Sequence, residues 1–550
     1  MTTGFIRRHW PLFGALALLL LTVYLLRVIS LRRTQGNVVY ALDDAYIHMA
    51  MAKNLVRHGV WGITADGFSS TSSSPLWTLL LALSYAAAGV NSMSPFILSL
   101  LSACLVLVVA HWTLRAFRAP PSVVLVVLLA LIFLTPLPNF IFSGMEHGLQ
   151  TALTLAVAFL AARVLSSADT QTDPRYYYGL LALAPLITLV RFEGLFLASV
   201  IALGFLLHKQ MRRGFLFGLS AALPVVVYGL VSELHGWPWL PTSVLLKSSL
   251  LDANTPLSFL HAVIHGAYVN LGRGAHLVAL ILLALLLEVV VRDEEGWAWN
   301  AERVMTAIFV GTGILHLGFA AVGWFYRYEA YLVALGIVVV GCRHKVLLQV
   351  LGRSSGAATP PREPRFASAA AFLLVVSLTL CSSRGVTALK DILQATVNLY
   401  EQQYQMGIFL KRYYPHSVVA IDDIGAVDFF ADIHCLDLWG LATPAVARLR
   451  RQGDYGKEEI ARLALQRGAA IAVVHDFYYR HLGGLPAEWT KVGEWQVRNN
   501  VVGGSPTVSF YALKASEAGP LRAHLSGFSA ELPPGVVQSG LYTQAVHSSR

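Results

Sequence analysis

Long apolar tracts recur through the first 380 residues or so, and no other feature of the sequence limits the fold as severely. They run over residues 11–26, 98–112, 122–137, 148–165, 178–207, 214–231, 276–291, 304–323, 328–341 and 366–380. A hydrocarbon layer of about 30 Å is crossed by roughly 20 mostly apolar helical residues. Inside it only a helix or a closed barrel satisfies its own backbone. Composition agrees: 56% of residues are hydrophobic and 13% charged, against roughly 25% charged in soluble domains. The spacing predicts a polytopic α-helical membrane protein with about 11–13 transmembrane helices and a C-terminal soluble α/β domain.

The formal charge of +10 does not form a basic face for nucleic acid. The bases gather in short connectors at residues 7–8, 115–118, 209–213, 343–345 and 362–365, which is the positive-inside pattern of a membrane chain. The first apolar tract follows basic residues but no small-x-small cleavage site, so it is expected to stay as an uncleaved span. About twelve tracts would put both ends on one side. The basic connectors place the N-terminus inside and the C-terminal region outside, so eleven or thirteen spans are expected. Four cysteines form no metal-ligand spacing, and one Cys381–Cys435 bridge is open to them on an oxidising face.

Residues 1–382 are therefore expected to form the membrane part, with an exterior loop at 31–74, and residues 383–550 an exterior domain. In that tail, 417–421 and 469–474 are short apolar runs typical of buried strands, and 507–513 alternates like a strand. KEEIARLALQ at 457–466 has the acidic start and three-four spacing of an amphipathic helix.

Polar residues interrupt this frame at a few places. YALDDAYIHMAMA at 40–52 sets Asp43 and Asp44 just past the first span, with His48 one turn on. Adjacent helical residues point about 100° apart, so one carboxylate can face a cleft while the other binds a cation. The same pair also suits the first turn of any helix, where the dipole favours acids. DGFSSTSSSPLW at 66–77 is rich in hydroxyls, includes Ser73 and Trp77, and places Pro75 at a helix start. Glu146 in SGMEHG, and Arg191 and Glu193 in RFEG, fall at membrane depth, where charge is expensive and faces a polar cavity or a partner. WPWLPTSVLLK and WFYRY put aromatic residues, Tyr326 and Tyr328 among them, beside Lys247 and Arg327. An aromatic belt accounts for the rings, whereas Arg191, Lys247 and Arg327 together offer a site for an anionic headgroup.

In this order, DDAYIHMAMAKNLVRHG, DGFSSTSSSPLW, SGMEHGLQTAL, RFEG, PTSVLLK and WFYRY resemble the polyprenyl-phosphate-dependent membrane glycosyltransferases of the GT-C superfamily. The resemblance is closest to the branch of mycobacterial arabinofuranosyltransferases and protein O-mannosyltransferase-like enzymes. It runs over roughly residues 35–450 and includes VAIDDIGAVDFFADIHCLDLWGLATP after the membrane part. It implies an inverting transfer of arabinofuranose or a hexose from a polyprenyl-phosphate donor to a cell-envelope glycan, lipid or protein hydroxyl. The setting it implies is the exterior face of a bacterial inner membrane, among membrane lipids. The family's catalytic carboxylate falls on Asp43 and Asp44, with Asp43 as base and Asp44 as helper or ligand of a divalent cation (Mg, Mn or Ca). The family's later motifs fall on Ser143–Glu146, Arg191–Gly194 and Pro241–Lys247. Phe192 departs from a proline often found there, and the loop is unusually serine-rich.

No glycine-rich strand–turn–helix signature points to a bound nucleotide. A transporter or flippase of lipid-linked sugars is the main rival, but it would bring paired internal repeats and no large exterior domain. A plain membrane anchor would not need Asp43, Asp44, Glu146 or Arg191. The expected arrangement puts Asp43, Asp44 and the region beyond Ser382 in one exterior compartment. Single cysteines at Gly67 and Gly484 are then both labelled by an impermeant reagent in intact cells, and protection of one alone rejects the shared face.

Overall fold

The computed structural model describes residues 2–166, 173–246, 255–290, 299–352 and 364–543. Among the described residues the apolar tracts are helical apart from short breaks, as a backbone in hydrocarbon requires. Among the described residues, five helices are long and apolar enough to span a bilayer: Arg8–Arg33, Ser94–Ala116, His147–Leu165, Met211–Leu234 and Arg365–Tyr413. Three bent pairs bring the number to as many as eight: Pro121–Leu134 with Leu137–Ser143, Leu260–Arg273 with Ala275–Val290, and Ala330–Cys342 with His344–Val350. The other two tracts form the helices Pro174–Val190 and Gly194–Leu207 and the 19-residue helix Ala301–Phe319, and Pro75–Ala88 is a further short apolar helix.

The breaks carry the polar residues. The tract at 178–207 divides into Pro174–Val190 and Gly194–Leu207, with Arg191 extended between them (φ −162°, ψ 139°). Gly194 is required by this corner, since a Cβ there would lie 2.2 Å from the Ile187 carbonyl oxygen. Another break, at Gly323–Arg327, puts Phe325 and Tyr326 at φ 48° and 61°. Asn139 Nδ2 donates to the Phe325 carbonyl at 3.0 Å and Arg384 donates to that of Tyr326, which holds this strained corner in place.

The last membrane helix, Pro364–Leu399, continues through a π-helical turn, Tyr400–Tyr404, into Gln405–Tyr413. Residue 382 therefore lies within a continuous helix that leads from the membrane part into the tail. The tail builds a six-stranded mixed sheet. Its strands are β1 (Val418–Ile421), β2 (His434–Asp437), β3 (Ile471–Val474), β4 (Thr490–Gln496), β5 (Thr507–Ala512) and β6 (Val537–Gly540), in the order β2-β1-β3-β5-β4-β6. β1 pairs in parallel with β2 and β3, and the other pairings are antiparallel. The continuous apolar runs VVAI and IAVV suit a parallel core buried on both faces. The expected strands and the helix Lys457–Arg467 are in place. The Cys381–Cys435 bridge is not: all four cysteines are free, Cys381 buried on the membrane helix and Cys435 on β2.

The two parts are joined through the helix Asp43–His58, whose Ala45–Asn54 stretch is entirely buried. It grips the short helix Gly425–Phe430 at both ends. Asp43 accepts from the Gly425 and Ala426 amides, both at 2.8 Å. Lys53 Nζ donates to the Asp428 and Phe429 carbonyls at 2.7 and 3.0 Å. Carboxylate at the amino end and ammonium at the carboxyl end both complement the helix dipole. Lys53→Met keeps the length but leaves those carbonyls without their cation. Thermal unfolding in detergent is expected to show a loss of about 1.5–3 kcal/mol, and an unchanged midpoint would mean that Lys53 does not hold the junction.

Candidate active site

Asp43 and Asp44 occupy the first turn of the helix Asp43–His58, whose N-cap position is Leu42. Neither acid caps its own helix: Asp43 serves the helix of the C-terminal domain, and Asp44 Oδ2 accepts from Arg327 Nη2 at 2.5 Å. The pair forms a wall between two cavities. The first, of about 400 Å³, is lined by Asp44, Ser73, Arg191, Glu193, Arg327 and Tyr328, with apolar walls including Phe192 and Phe196. The second, of about 320 Å³, opens toward the C-terminal domain and is lined by Asp43, Asp44, Trp324, Gln403, Asp423 and Tyr478, among others. Asp44 therefore borders both spaces, and Asp43 borders the second.

Behind the first cavity Arg191 is clamped by two carboxylates. Its Nη1 donates to Glu146 at 2.9 Å, and its Nη2 and Nε donate to Glu193 at 2.6 and 3.1 Å. Glu146 is fully buried, and its other oxygen lies 3.7 Å from His48 Nε2. Tyr328 presents its ring to both Arg191 and Arg327, at 5.6 and 5.0 Å, a cation–π arrangement that tethers both guanidiniums to one aromatic face. Thr71 fastens the serine-rich loop to the far domain by donating to the Leu441 carbonyl at 2.9 Å, and Thr242, from a separate segment, donates to the same carbonyl at 2.6 Å.

Not every residue singled out from the sequence faces a cavity. His48 is buried on Thr78 and Ser72, with Nδ1 3.0 Å from Thr78 Oγ1. Trp77 is buried and donates from Nε1 to the Gly144 carbonyl at 3.2 Å. Tyr326 donates to Asp391 at 2.6 Å and supports the strained corner. Lys247 lies outside the described residues.

The C-terminal domain adds groups that sequence reasoning missed. Asp422 and Asp423 follow β1, and His475 follows β3, so they meet at the carboxyl ends of adjacent parallel strands, where ligand sites of open α/β sheets collect. A second Asp-Asp pair directly after a predicted strand was the available clue. Asp422 accepts from the His475 amide at 2.7 Å and from Nδ1 at 2.9 Å. Asp423 accepts from Gln403 Nε2 at 2.7 Å. The ligand atoms of these three side chains lie within 4.8 Å of one another and are able to coordinate a metal ion. Asp44, the expected cation ligand, lies instead on Arg327.

Electrostatics separates these acids. Burial, and then the neighbouring Asp423 charge, push Asp43 up to about 8 against the opposing pull of its two amide donors. Asp423 is raised by burial as well. Burial alone would lower His475, but the Asp422 carboxylate outweighs it and raises the imidazole to about 9.

A family model described as a domain of unknown function (DUF8728) matches residues 394–511. No curated protein matches the sequence. Among solved structures, the chain is similar to the crystal structure of ArnT from Cupriavidus metallidurans bound to undecaprenyl phosphate, with a TM-score of 0.51 and 12% identity over 92% of this chain and 99% of that one. The apo form of the same protein gives a TM-score of 0.50 at 12% identity, over 92% and 100%. At this identity the likeness is one of fold: a polytopic, mostly helical membrane region of GT-C-like architecture with a mixed-sheet C-terminal domain.

The Arg191 clamp carries a direct expectation. Glu146→Ala leaves a buried guanidinium short of one of its two carboxylates, and breaking a buried pair from one side costs about 3–5 kcal/mol. The variant should unfold at a clearly lower temperature in detergent, with Glu146→Gln intermediate. Equal midpoints for all three proteins would show that Glu146 does not stabilise the break.

Proposed function

We propose that this protein is an inverting glycosyltransferase that uses a polyprenyl-phosphate sugar, working on the exterior face of a bacterial inner membrane. The observation that carries the proposal is the pair of cavities that meet at Asp43 and Asp44, one bearing arginines and apolar walls and the other bearing carboxylates. The GT-C-like fold agrees with it, as does the lipid phosphate bound by the ArnT structure it resembles.

In this reading the first cavity takes the donor, with its prenyl chain in the bilayer and its phosphate beside Arg191 and Arg327. Both arginines are already matched by Asp44, Glu146 and Glu193, so the incoming phosphate shares Arg327 with Asp44. Lys247, a few residues past the cavity residues Ser243 and Val244, is the further base assigned to the headgroup. An acceptor hydroxyl enters from the second cavity. Its oxygen forms a bond to the anomeric carbon while the bond from that carbon to the phosphate oxygen breaks. The hydroxyl proton passes to Asp43, and the phosphate leaves with the electron pair, its charge held by the arginines. A phosphate is a weak enough base to leave without a general acid, unlike the alkoxide of a hydrolase. Asp44 orients the reactants and Arg327. A divalent cation on Asp422, Asp423 and His475 would supply positive charge beside Asp43.

Asp43 is suited to the role of base because a raised pKa strengthens it, provided that it is ionised. Turnover at saturating donor should therefore rise with pH and level off above about 8. Asp43→Asn should remove that rise and cut turnover by roughly 10²–10⁴-fold with little change in donor binding. Asp44→Asn should weaken acceptor affinity and cost less at saturation. The assay compares lipid-phosphate sugars with nucleotide sugars. Efficient transfer from a nucleotide sugar overturns the donor assignment, and a fully active Asp43→Asn protein overturns the mechanism.

A further inference from the structure

The helix Pro256–Arg273 presents two faces to two different surroundings. Ala262, Gly266 and Val269 line the first cavity. On the opposite side Leu257, Leu260, Ile264, Tyr268 and Leu271 recur every three or four residues as one stripe. Each of them is half exposed or more. An apolar stripe of this length marks a surface that another apolar phase covers. The helix does not carry the span Ala275–Val290 onward, for the two meet at 88°. That corner is built into the chain. A Cβ on Gly274 would lie 2.8 Å from the Asn270 carbonyl oxygen. Asn270 Nδ2 donates to the Leu317 and Ala320 carbonyls, at 2.9 and 2.7 Å.

The span beyond the corner gives the helix its orientation. Ala275–Val290 runs from an ion pair of His276 with Glu329 to one of Glu288 with Arg343. Between them it exposes Leu282 and Leu285, as a span does toward lipid. Glu329 also accepts from the Gly323 amide at 2.9 Å, so the corner at Gly274 stands level with the turn that carries Arg327. A helix at right angles to a span lies along the membrane plane. We infer that Pro256–Arg273 is seated in the headgroup layer of the bilayer at the level of the first cavity. Its stripe reaches about 5–10 Å into the boundary with the acyl chains, and its other face closes the cavity. The stacked, exposed imidazoles of His261 and His265 lie along the border between the two faces, where a polar tip on an apolar body suits an interface. The inference goes beyond the transferase reading and does not depend on it.

Depth-dependent fluorescence quenching tests it. The full chain, in nanodiscs of phosphatidylcholine and phosphatidylglycerol, carries an NBD label on a single added cysteine at Leu257, Ile264 or Tyr268. Reference labels go at Leu285, within the span, and at Leu465, which is 78% exposed on the helix Lys457–Arg467. The chain without an added cysteine gives the background from its own four, which are buried or half-buried. Doxyl lipids place the quencher either just below the headgroups or deep among the acyl chains. Labels on the stripe should be quenched about twofold more by the shallow quencher than by the deep one. Leu285 should show the reverse order, and Leu465 should be quenched by neither. Leu260→Glu combined with Ile264→Glu should remove about half of the shallow quenching at Tyr268. The label at Leu285 should keep its own quenching in that variant, which reports that the protein is folded and inserted. Stripe labels with the pattern of Leu285 would mean that the helix belongs to a span, and the inference falls. Stripe labels quenched by neither lipid would mean that water or a second copy of the chain covers the stripe, which overturns it as well. Quenching at Tyr268 that survives both glutamates would show that the stripe does not seat the helix, with the same consequence.

Discussion

The arrangement depends on one short helix held at both ends by another. Asp43 takes the amino end of Gly425–Phe430 and Lys53 takes its carboxyl end. Both holding residues belong to the helix that begins at the acid pair. Docking of the C-terminal domain and placement of Asp43 are thus a single event. Gly425 allows the contact, because a Cβ there would come within 2.1 Å of the Asp43 carbonyl oxygen. The same contact gives Asp43 its character. Two amide donors favour its charge, while burial and Asp423 oppose it, and the opposition wins.

Around that junction the membrane part holds its charges in closed sets. Arg191 sits between Glu146 and Glu193. Arg384 and His276 meet at the fully buried Glu329. Arg343 and Arg303 share Glu288. Each set falls at or beside a break or an end of a helix, where backbone groups are also short of partners. Charge at such depth is tolerated only when it is matched, and the cost has been concentrated at the places where the chain turns and cavities form. The first cavity lies against one of these sets, so its arginines are held rigidly before any ligand arrives.

Partition of charge between the two cavities follows from the same economy. Arg327 and Trp324 come from one strained corner, and their side chains serve opposite sides of the acid pair. To the space it closes the domain contributes Asp423, several amides and the Tyr478 ring. A reaction that needs positive charge for a leaving phosphate and a base for an acceptor hydroxyl is matched by that division.

The sequence alone determined the membrane class, since no soluble core explains so many apolar tracts, and it determined the acid pair, the Arg-Phe-Glu break and several strands of the tail. Local chemistry suffices there: hydrophobic length and periodicity are properties of contiguous residues. Only the tertiary structure decided which polar residues meet. His48 and Trp77 resembled cavity residues by their neighbours in sequence, yet their partners, Thr78 and Gly144, lie 30 and 67 residues away and bury them. Asp423 stands 380 residues from Asp43 and enters the site because β1 ends beside the helix Asp43–His58, a juxtaposition that no local period encodes. Where the apolar tracts bend or end was likewise decided by the tertiary structure, because a helix bent or shortened against its neighbours has the same composition as one that runs straight. Length and pattern fix what each segment is, and long-range burial fixes what each side chain does.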